Sequence, residues 1–257
     1  MTNFQELLHN LQQLGLVKCA EYLPNFVSEE TNKKLSLTEA LLDLTSKELE
    51  HIEQEKIKQR IRNARFPKSK RMIDFDFTFQ PSLNRNELMD LTSLSFIEQC
   101  ANICFLGNSG VGKTHLATSL GVAACEQGIK VKFIVFHDLV SRFTKAYHKG
   151  TLDRLIKVYA NYPLLIIDEI GYVPITRAQA DWFYQLMSLR YERFSTVITT
   201  NIPFSMWGQV FNNDAVSAAI LDRLIHHSKI YKITGNSYRM KDYQENRDLS
   251  TNQLSGS

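Results

Sequence analysis

Several features that would place this chain in a specialised class are missing from its 257 residues. No apolar run approaches the ~18 residues that a membrane-spanning helix needs. The first residues also lack the cationic and then apolar layout of a secretion signal. The four cysteines, Cys19, Cys100, Cys104 and Cys125, are scattered without the paired spacing of a metal site. We therefore expect free thiols in a reducing cytoplasm and no membrane partner.

Charge is present but unevenly distributed. The net charge is only +3, and the apolar content of 44% is ordinary for a globular protein. Residues 1–55 hold four Lys or Arg against ten Asp or Glu. The next sixteen residues, 56–71 (KIKQRIRNARFPKSKR), hold eight basic residues and no acid. Such a block is typical of a solvated charged face or of a surface that meets an anionic partner.

The hydrophobic pattern predicts a small helical part followed by a larger α/β part. Apolar residues recur at helical spacing from Phe4 to Leu14, and Ser36 with Glu39 forms a capping-box pattern before a long helix. Pro67 ends any continuation of that helix. The predicted divisions are a helical module over 1–66, a basic and aromatic linker over 67–83, a second domain over 84–245 and a disordered tail over 246–257.

The second domain alternates strands and helices. Its predicted strands cover residues 102–106, 130–136, 163–168, 195–200 and 229–234. A glycine loop and a helix that ends at about Glu126 are predicted after the first strand. Further helical segments are predicted over about 138–160, 176–193 and 213–227. Short apolar strands separated by helices predict an α/β fold with a mostly parallel, five-stranded sheet covered on both faces.

A phosphate-binding loop follows the first strand. Residues 107–114, GNSGVGKT, fit the pattern G-x-x-x-x-G-K-T between a strand and a helix. Glycines let the backbone turn tightly, so that its N–H groups and the helix N-terminus surround phosphate oxygens. The candidate nucleotide-binding residues are Gly107, Asn108, Ser109, Gly110, Val111, Gly112, Lys113, Thr114 and His115. Lys113 would reach the β- and γ-phosphates of ATP, and Thr114 would offer its hydroxyl to Mg²⁺.

Acids appear at the end of the third strand, in LLIIDE (164–169). Ligands of open α/β sheets bind at the carboxyl ends of the strands. Asp168 is therefore a candidate for the Mg²⁺ shell. Glu169 is placed to orient and polarise an attacking water, which favours hydrolysis over simple nucleotide binding.

Two further residues have both a functional and an ordinary interpretation. Asn201 is either a polar turn residue before Pro203 or, if the fourth strand lies between the first and third, a group beside the γ-phosphate. Arg223 either pairs with Asp222 or faces solvent, or it acts as an arginine finger on the ATP of a neighbouring subunit.

Five stretches together resemble the IstB family, the ATP-binding helper proteins of IS21-type transposons. They are GNSGVGKTHLA, LLIIDEIGYVP, RYERFSTVITTNIPFSMWG, AAILDRLIHH and DFDFTFQPSLNR. The resemblance covers roughly residues 5–243. It implies an AAA+ ATPase core related to DnaC helicase loaders and DnaA initiators. It also implies self-assembly on duplex DNA with ATP, help in target choice and stimulation of the transposase of the same element.

The resemblance also implies residue roles. Lys113 and Thr114 match the lysine and the hydroxyl residue of the phosphate loop. Asp168 matches the Mg²⁺-binding acid, and Glu169 matches the catalytic acid. Asn201 matches the first sensor and Arg223 the arginine finger. DnaA-type relatives carry a helical lid and a DNA-binding helix-turn-helix after the fifth strand, and the ~20 remaining residues are too few for either. We expect no C-terminal lid, and the nearest second-sensor candidate is Arg239.

DNA contacts are therefore expected elsewhere, in two segments. One is the end of the basic block, with Arg62, Arg65, Lys68, Lys70 and Arg71. The other is the insert between the second and third strands, with Arg142, Lys145, Lys149, Arg154 and Lys157. Backbone contacts are favoured, because no recognition-helix signature is present.

Rival functions share the same ATP site. A DnaC-like helicase loader would use the helical module to bind a helicase, and a metabolic P-loop kinase would bind no DNA. Residues 1–55, acidic and apolar, suit a contact with a neighbouring copy or a transposase, or packing on their own domain.

Overall fold

The structure, a computed structural model, describes residues 2–29 and 35–238. The chain separates into two compact units, Met1–Gln59 and Arg60–Ser257, named here the helical unit and the sheet unit. The proposed tail over 246–257 and the second-sensor candidate Arg239 lie outside the described residues.

Helices α1 (Asn3–Gln13), α2 (Val17–Ser28) and most of α3 (Leu37–Ala64) form the helical unit. The predicted start of α3 is confirmed: the N–H of Glu39 donates to Ser36 Oγ, and the N–H of Ser36 donates to a Glu39 carboxylate oxygen 2.8 Å away. Glu48 of α3 is buried, and its Oε2 accepts the N–H groups of Lys18 and Cys19 at 2.8 and 3.0 Å. The carboxylate thus accepts hydrogen bonds from backbone N–H groups in the first turn of α2. The N-cap residue of α2, Leu16, forms no side-chain hydrogen bond to that turn.

A five-stranded sheet organises the sheet unit. Its strands are β1 (Asn102–Gly107), β2 (Val131–Val135), β3 (Leu164–Ile170), β4 (Ser195–Thr200) and β5 (Ser228–Ile233). Their spatial order is β2-β3-β4-β1-β5, and every neighbouring pair is parallel. The prediction of a five-stranded parallel sheet is therefore confirmed, with strand ends within two residues of those predicted.

Helices cover both faces of this sheet. They are α4 (Arg85–Asp90), α5 (Ser95–Glu98), α6 (Lys113–Glu126), α7 (Phe136–His148), α8 (Leu152–Ala160), α9 (Arg177–Arg190), α10 (Trp207–Phe211) and α11 (Asp214–Ile225). Alternate strand residues face opposite ways. Phe105 accordingly joins the core beneath Leu116 of α6, whereas Cys104 joins the core beneath Phe183 of α9. The helical stretch predicted over 138–160 is divided at Gly150, whose φ of +66° ends α7.

Residues 67–83, predicted as a linker, pack within the sheet unit. Met72, Phe75 and Leu83 are buried in the same core as α6. Phe75 lies directly over the phosphate-loop glycine Gly112. This segment therefore contributes to the environment of the loop.

Within residues 2–29 and 35–238, none of the helices combines the length and the apolar character needed to cross a membrane.

Candidate nucleotide site

The loop between β1 and α6 depends on glycine at two positions. Gly110 and Gly112 have φ values of +81° and +99°, in the left-handed region that favours glycine. A Cβ on Gly112 would lie 2.5 Å from a ring carbon of Phe75. Val111 between them is buried in the core and anchors the loop. The backbone N–H groups at the start of α6 can therefore face a bound anion.

Lys113, the first residue of α6, holds the loop from inside. Its Nζ donates to the carbonyl oxygens of Gly107 and Asn108, both at 2.7 Å. Its side chain is largely buried, which places the charge beside the loop backbone. Phosphate oxygens are charged acceptors and therefore stronger partners for the same ammonium group.

The two acids lie opposite the loop. Asp168 is buried at the end of β3, and Thr114 Oγ1 lies 3.0 Å from each of its carboxylate oxygens. A hydroxyl and a carboxylate side by side are oxygen ligands of the kind that Mg²⁺ prefers. These residues therefore fit the cation that accompanies ATP.

Thr199 of β4 connects the two acids, and sequence reasoning gave it no specific role. Its hydroxyl donates to Asp168 Oδ1 and accepts the backbone N–H of Glu169 at 2.9 Å. Glu169 has a φ of +61°, which is rare for a residue with a side chain and costs of order 1–3 kcal/mol. The regular β3–β4 register also shifts between Ile167 and Ile170. The surrounding bonds thus hold Glu169 in a conformation that turns it away from the regular strand.

Asn201 meets the condition on which its role depended, because β4 lies between β1 and β3. Its Oδ1 is buried and has no hydrogen-bond partner in the described part of the chain. A buried amide oxygen without a partner is costly in a finished fold and is common where a ligand or water completes the bonding. Asn201 and Glu169 line the same cavity.

This nucleotide cavity has a volume of about 610 Å³. Its lining residues are Pro67, Lys68, Lys70, Asp74, Phe75, Asp76, Phe79, Gln80, Ser109, Gly110, Val111, Gly112, Lys113, Thr114, His115, Thr118, Glu169, Tyr172, Asn201 and Tyr238. Most of the predicted phosphate-loop residues, Glu169 and Asn201 are therefore brought together in one place.

The aromatic part of the lining was missed by sequence reasoning. Phe79 and Tyr238 meet edge to face at 5.2 Å, and the N–H of Tyr238 donates to the carbonyl of Gly110. Tyr172 contributes its hydroxyl, 3.3 Å from Ser109 Oγ. The alternating phenylalanines of DFDFTF were a usable signal for an apolar wall, although not for its location.

His115 was predicted only as part of the motif. It lines the cavity, its ring packs edge to face on Phe75 at 5.3 Å, and its Nε2 lies 3.0 Å from the carbonyl oxygen of Arg71. Burial lowers the pKa of His115, and the Arg71 carbonyl opposes that change. The surroundings of His115 therefore favour its neutral imidazole over the charged form.

Arg223 is placed elsewhere. It lies on α11, its Nη1 donates to the carbonyl of Ala219 at 3.0 Å, and its guanidinium lies 4.7 Å from the ring centre of Tyr184. It does not line the nucleotide cavity. No ion pair with Asp222 is present in the described structure; Arg223 is instead half-buried and held by these contacts within its own subunit.

The predicted DNA-binding residues fall into separate environments. Lys68 and Lys70 line the nucleotide cavity, and Arg71 forms an ion pair with Glu126 at 3.0 Å. Arg62, Arg65 and Arg142 line a second cavity. The remaining four, Lys145, Lys149, Arg154 and Lys157, are exposed on or beside α7 and α8.

Comparison with known proteins identifies the family. The model of a family described as IstB-like ATP binding protein matches residues 9–246. The chain belongs to the IstB-like ATP-binding proteins. This IstB-like protein is 45% identical over 241 residues to the ATP-binding protein assigned to insertion sequence IS232 of Bacillus thuringiensis subsp. berliner, covering 94% of this chain and 96% of that relative. It is 36% identical over 242 residues to the corresponding protein of insertion sequence IS21 from Pseudomonas aeruginosa, covering 94% and 91%.

Solved structures resemble the IstB-like protein in fold. DnaI aligns with a TM-score of 0.54 at 18% identity, over 65% of this chain and 89% of that one. AMPPCP-bound DnaA from Aquifex aeolicus aligns with a TM-score of 0.56 at 18% identity, over 72% and 56%. The predicted AAA+ fold class and the predicted family are both confirmed.

Proposed function

We propose that this protein is an Mg²⁺-dependent ATPase that assembles on duplex DNA, helps to select target DNA and stimulates the transposase of its insertion sequence. The observation that carries the ATPase assignment is the arrangement around one cavity of Lys113, the Thr114–Asp168 pair, Glu169 and Asn201. The insertion-sequence names of the relatives favour transposition over helicase loading.

Each group has a distinct task in this proposal. Lys113 exchanges its loop carbonyls for β- and γ-phosphate oxygens, while Thr114 and Asp168 hold Mg²⁺. Glu169 orients and polarises the attacking water, and Asn201 donates to the γ-phosphate or positions that water. Phe75, Phe79 and Tyr238 offer an apolar, aromatic wall suited to a planar base.

Arg223 is proposed to act on the ATP of a neighbouring subunit. Its position outside its own nucleotide cavity supports a role in trans. An arginine supplied by a neighbour stabilises charge in the transition state and makes hydrolysis depend on assembly.

The helical unit is proposed to contact a protein, either another copy or the transposase. Large apolar side chains of this unit are exposed: Leu14, Leu37, Leu42 and Leu49 are each at least 66% accessible. Acidic residues surround them in the sequence, so the surface combines apolar contact area with one predominant sign of charge.

Glu169→Gln tests the proposal, with Glu98→Gln on α5 as the matched control. We expect ATP hydrolysis to fall about 10²- to 10⁴-fold, since a positioned base contributes that much. ATP and DNA binding should persist, and size analysis should show a DNA-bound oligomer that lasts longer than that of the wild type. A variant that stays monomeric on DNA with saturating ATP would contradict the assembly model. An ATPase rate that duplex DNA leaves unchanged would favour the metabolic kinase.

A further inference from the structure

A second cavity, named here the basic cavity, lies at the β2 edge of the sheet and has a volume of about 580 Å³. It is lined by Arg62, Asn63, Arg65, Lys132, Arg142, Leu155, Val158, Tyr159 and Tyr162. These residues come from the end of α3 and the turn after it, from β2 and α7, and from α8 and the turn after that helix. The two segments that the sequence offered separately as DNA-contact candidates therefore meet in one cavity.

The charge of the basic cavity has one sign. Arg62, Arg65, Lys132 and Arg142 are its charged lining residues, and none of the carboxylates of the described residues lines it. Throughout the described ranges, none of these four side chains forms an ion pair with an acid. Ordinary protein surfaces mix both signs, so an unneutralised group of four cations carries a repulsive energy that an anion would relieve.

Lys132 is the most unusual of the four. It lies in an edge strand, its side chain is largely buried, and its Nζ donates to the carbonyl of Asn63 at 3.3 Å. Burial lowers the pKa of Lys132, and the positive charges of Arg65 and Arg142 lower it further. A bound anion would act in the opposite direction and stabilise the ammonium form.

The wall of the basic cavity is held in place before any ligand arrives. Arg142 Nη1 donates to the hydroxyl of Tyr159 at 3.3 Å. Behind the wall, buried Arg190 donates to the carbonyls of Tyr159, Ala160 and Tyr162 at 3.2, 2.9 and 2.7 Å. A cavity whose wall is fixed by such a brace does not have to reorganise on binding.

We propose that the basic cavity binds one phosphate group, and that this group belongs to the backbone of duplex DNA. Guanidinium groups match phosphate oxygens in a two-bond fork, and the ammonium and tyrosine hydroxyls supply further donors. The backbone is the favoured source because three of the cations, Arg62, Arg65 and Arg142, are exposed. In addition, α7 and α8, which both line the cavity, carry the exposed Lys145, Arg154 and Lys157. A DNA strand that places one phosphate in the cavity can therefore contact neighbouring positive charges with its next phosphates. The choice of DNA rests on the proposed function, whereas the phosphate site does not.

The test measures binding of a labelled duplex by anisotropy over a series of salt concentrations. The variants are Arg65→Gln, Lys132→Gln and Arg142→Gln, singly and together, and the control is Lys229→Gln on β5 at the opposite edge of the sheet. We expect each variant to weaken binding about tenfold, and the triple variant to weaken it less than the product of the three. Arg142 is exposed, and the amide of Gln can still donate to the Tyr159 hydroxyl, so Arg142→Gln should keep the wild-type thermal stability and decides the matter if Lys132→Gln lowers it.

The salt dependence supplies a sharper criterion. If the cations share one phosphate, the slope of log affinity against log salt should fall by no more than about 0.9 even in the triple variant, because only one neutralised phosphate can be lost. If each cation contacts its own phosphate, the slope should fall by about 0.9 for every substitution. The second result would overturn the proposal of a single shared site.

Titration with inorganic phosphate separates the two possible sources. It uses Lys113→Ala, in which the nucleotide loop is impaired, with and without Arg142→Gln. If Arg142→Gln loses DNA affinity and the salt slope changes as expected for one shared phosphate, the assignment to the DNA backbone is supported. Loss of phosphate binding with DNA affinity intact upholds the phosphate site and overturns its assignment to DNA. If the variant loses neither DNA affinity nor phosphate binding, both the phosphate site and its assignment to DNA are wrong. A wild-type protein that binds no duplex at low salt contradicts the proposed function, while the phosphate titration still decides the site.

Discussion

The nucleotide cavity and the basic cavity have nearly equal volumes, about 610 and 580 Å³, yet their chemistry differs. The nucleotide cavity is lined by side chains of both signs, among them Lys113 and Glu169, and by Asn201 with its buried amide oxygen. The basic cavity, as far as the described residues line it, holds cations and hydroxyls without a carboxylate. A site that must bind a cation together with a phosphate chain needs both signs of charge. A site that only holds an anion does not, which is why we assign chemistry to the first cavity and binding alone to the second.

Beyond the Glu169→Gln test, the largest expected effect concerns Arg223, which belongs to neither cavity of its own subunit. Arg223→Ala should lower DNA-stimulated hydrolysis about 10³-fold, the lower end of what an arginine finger contributes. ATP affinity should stay unchanged, because the arginine lies outside the nucleotide cavity of its own chain. Hydrolysis is measured at saturating ATP, and Arg177→Ala at the start of α9 serves as the control.

A mixing experiment shows whether Arg223 acts in trans. Arg223→Ala retains an intact nucleotide site, and Lys113→Ala retains an intact arginine. Mixed in equal amounts on DNA, the two inactive proteins should recover part of the wild-type rate. Hydrolysis that remains as low as that of either variant alone would place the arginine in cis or outside the reaction.

The next largest effect is a difference in ATP binding between substitutions of the lysine in each cavity, Lys113 and Lys132. Lys113→Ala should weaken ATP binding or slow hydrolysis about 10²- to 10³-fold, since it removes a preorganised charge from the phosphates. Lys132→Gln should leave ATP affinity within about twofold, because Lys132 lies in the basic cavity. Equilibrium titration with a fluorescent ATP analogue measures both. Equal losses in the two variants would show that the cavities are not independent.

The smallest effect is a pH dependence from the nucleotide cavity. Burial lowers the pKa of His115, so the folded protein binds this proton less readily than the unfolded chain. Its stabilising contribution is therefore present above the unfolded pKa of about 6.5 and is lost as pH falls through the folded value. Thermal midpoints at about pH 7.5 and about pH 5.5 should differ less in His115→Gln than in the wild type. A larger difference in the variant would contradict this assignment.

Local patterns were enough to predict most of the nucleotide site. The glycine loop, Lys113 and Thr114 are contiguous, and Asp168 and Glu169 follow a strand whose apolar run marks it as buried. Such features depend on neighbouring residues along the chain, and the structure places the loop, Lys113, Thr114 and Glu169 around one cavity; their roles stay a prediction. Asn201 needed one non-local fact, the position of β4 between β1 and β3.

Non-local packing explains what the sequence could not predict. Phe79 contacts Tyr238, which lies far away along the chain, and no sequence-spacing rule predicts such a contact. Residues 67–83, which include Phe79, were therefore predicted to be a linker. Lys132 alternates with apolar residues in KVKFIVF and therefore had the pattern of an ordinary edge-strand lysine. Only the approach of α3 and α7 to β2 reveals its three cationic neighbours.

The contact between Phe75 and Gly112 has a genetic consequence. Gly112 is constrained twice, by its left-handed backbone and by the ring that would collide with a Cβ. Trimming Phe75 to alanine would remove the collision but leave the backbone conformation as unfavourable for alanine as before. A screen for second-site suppressors of Gly112→Ala should therefore return no change at position 75 alone, even though the two residues touch.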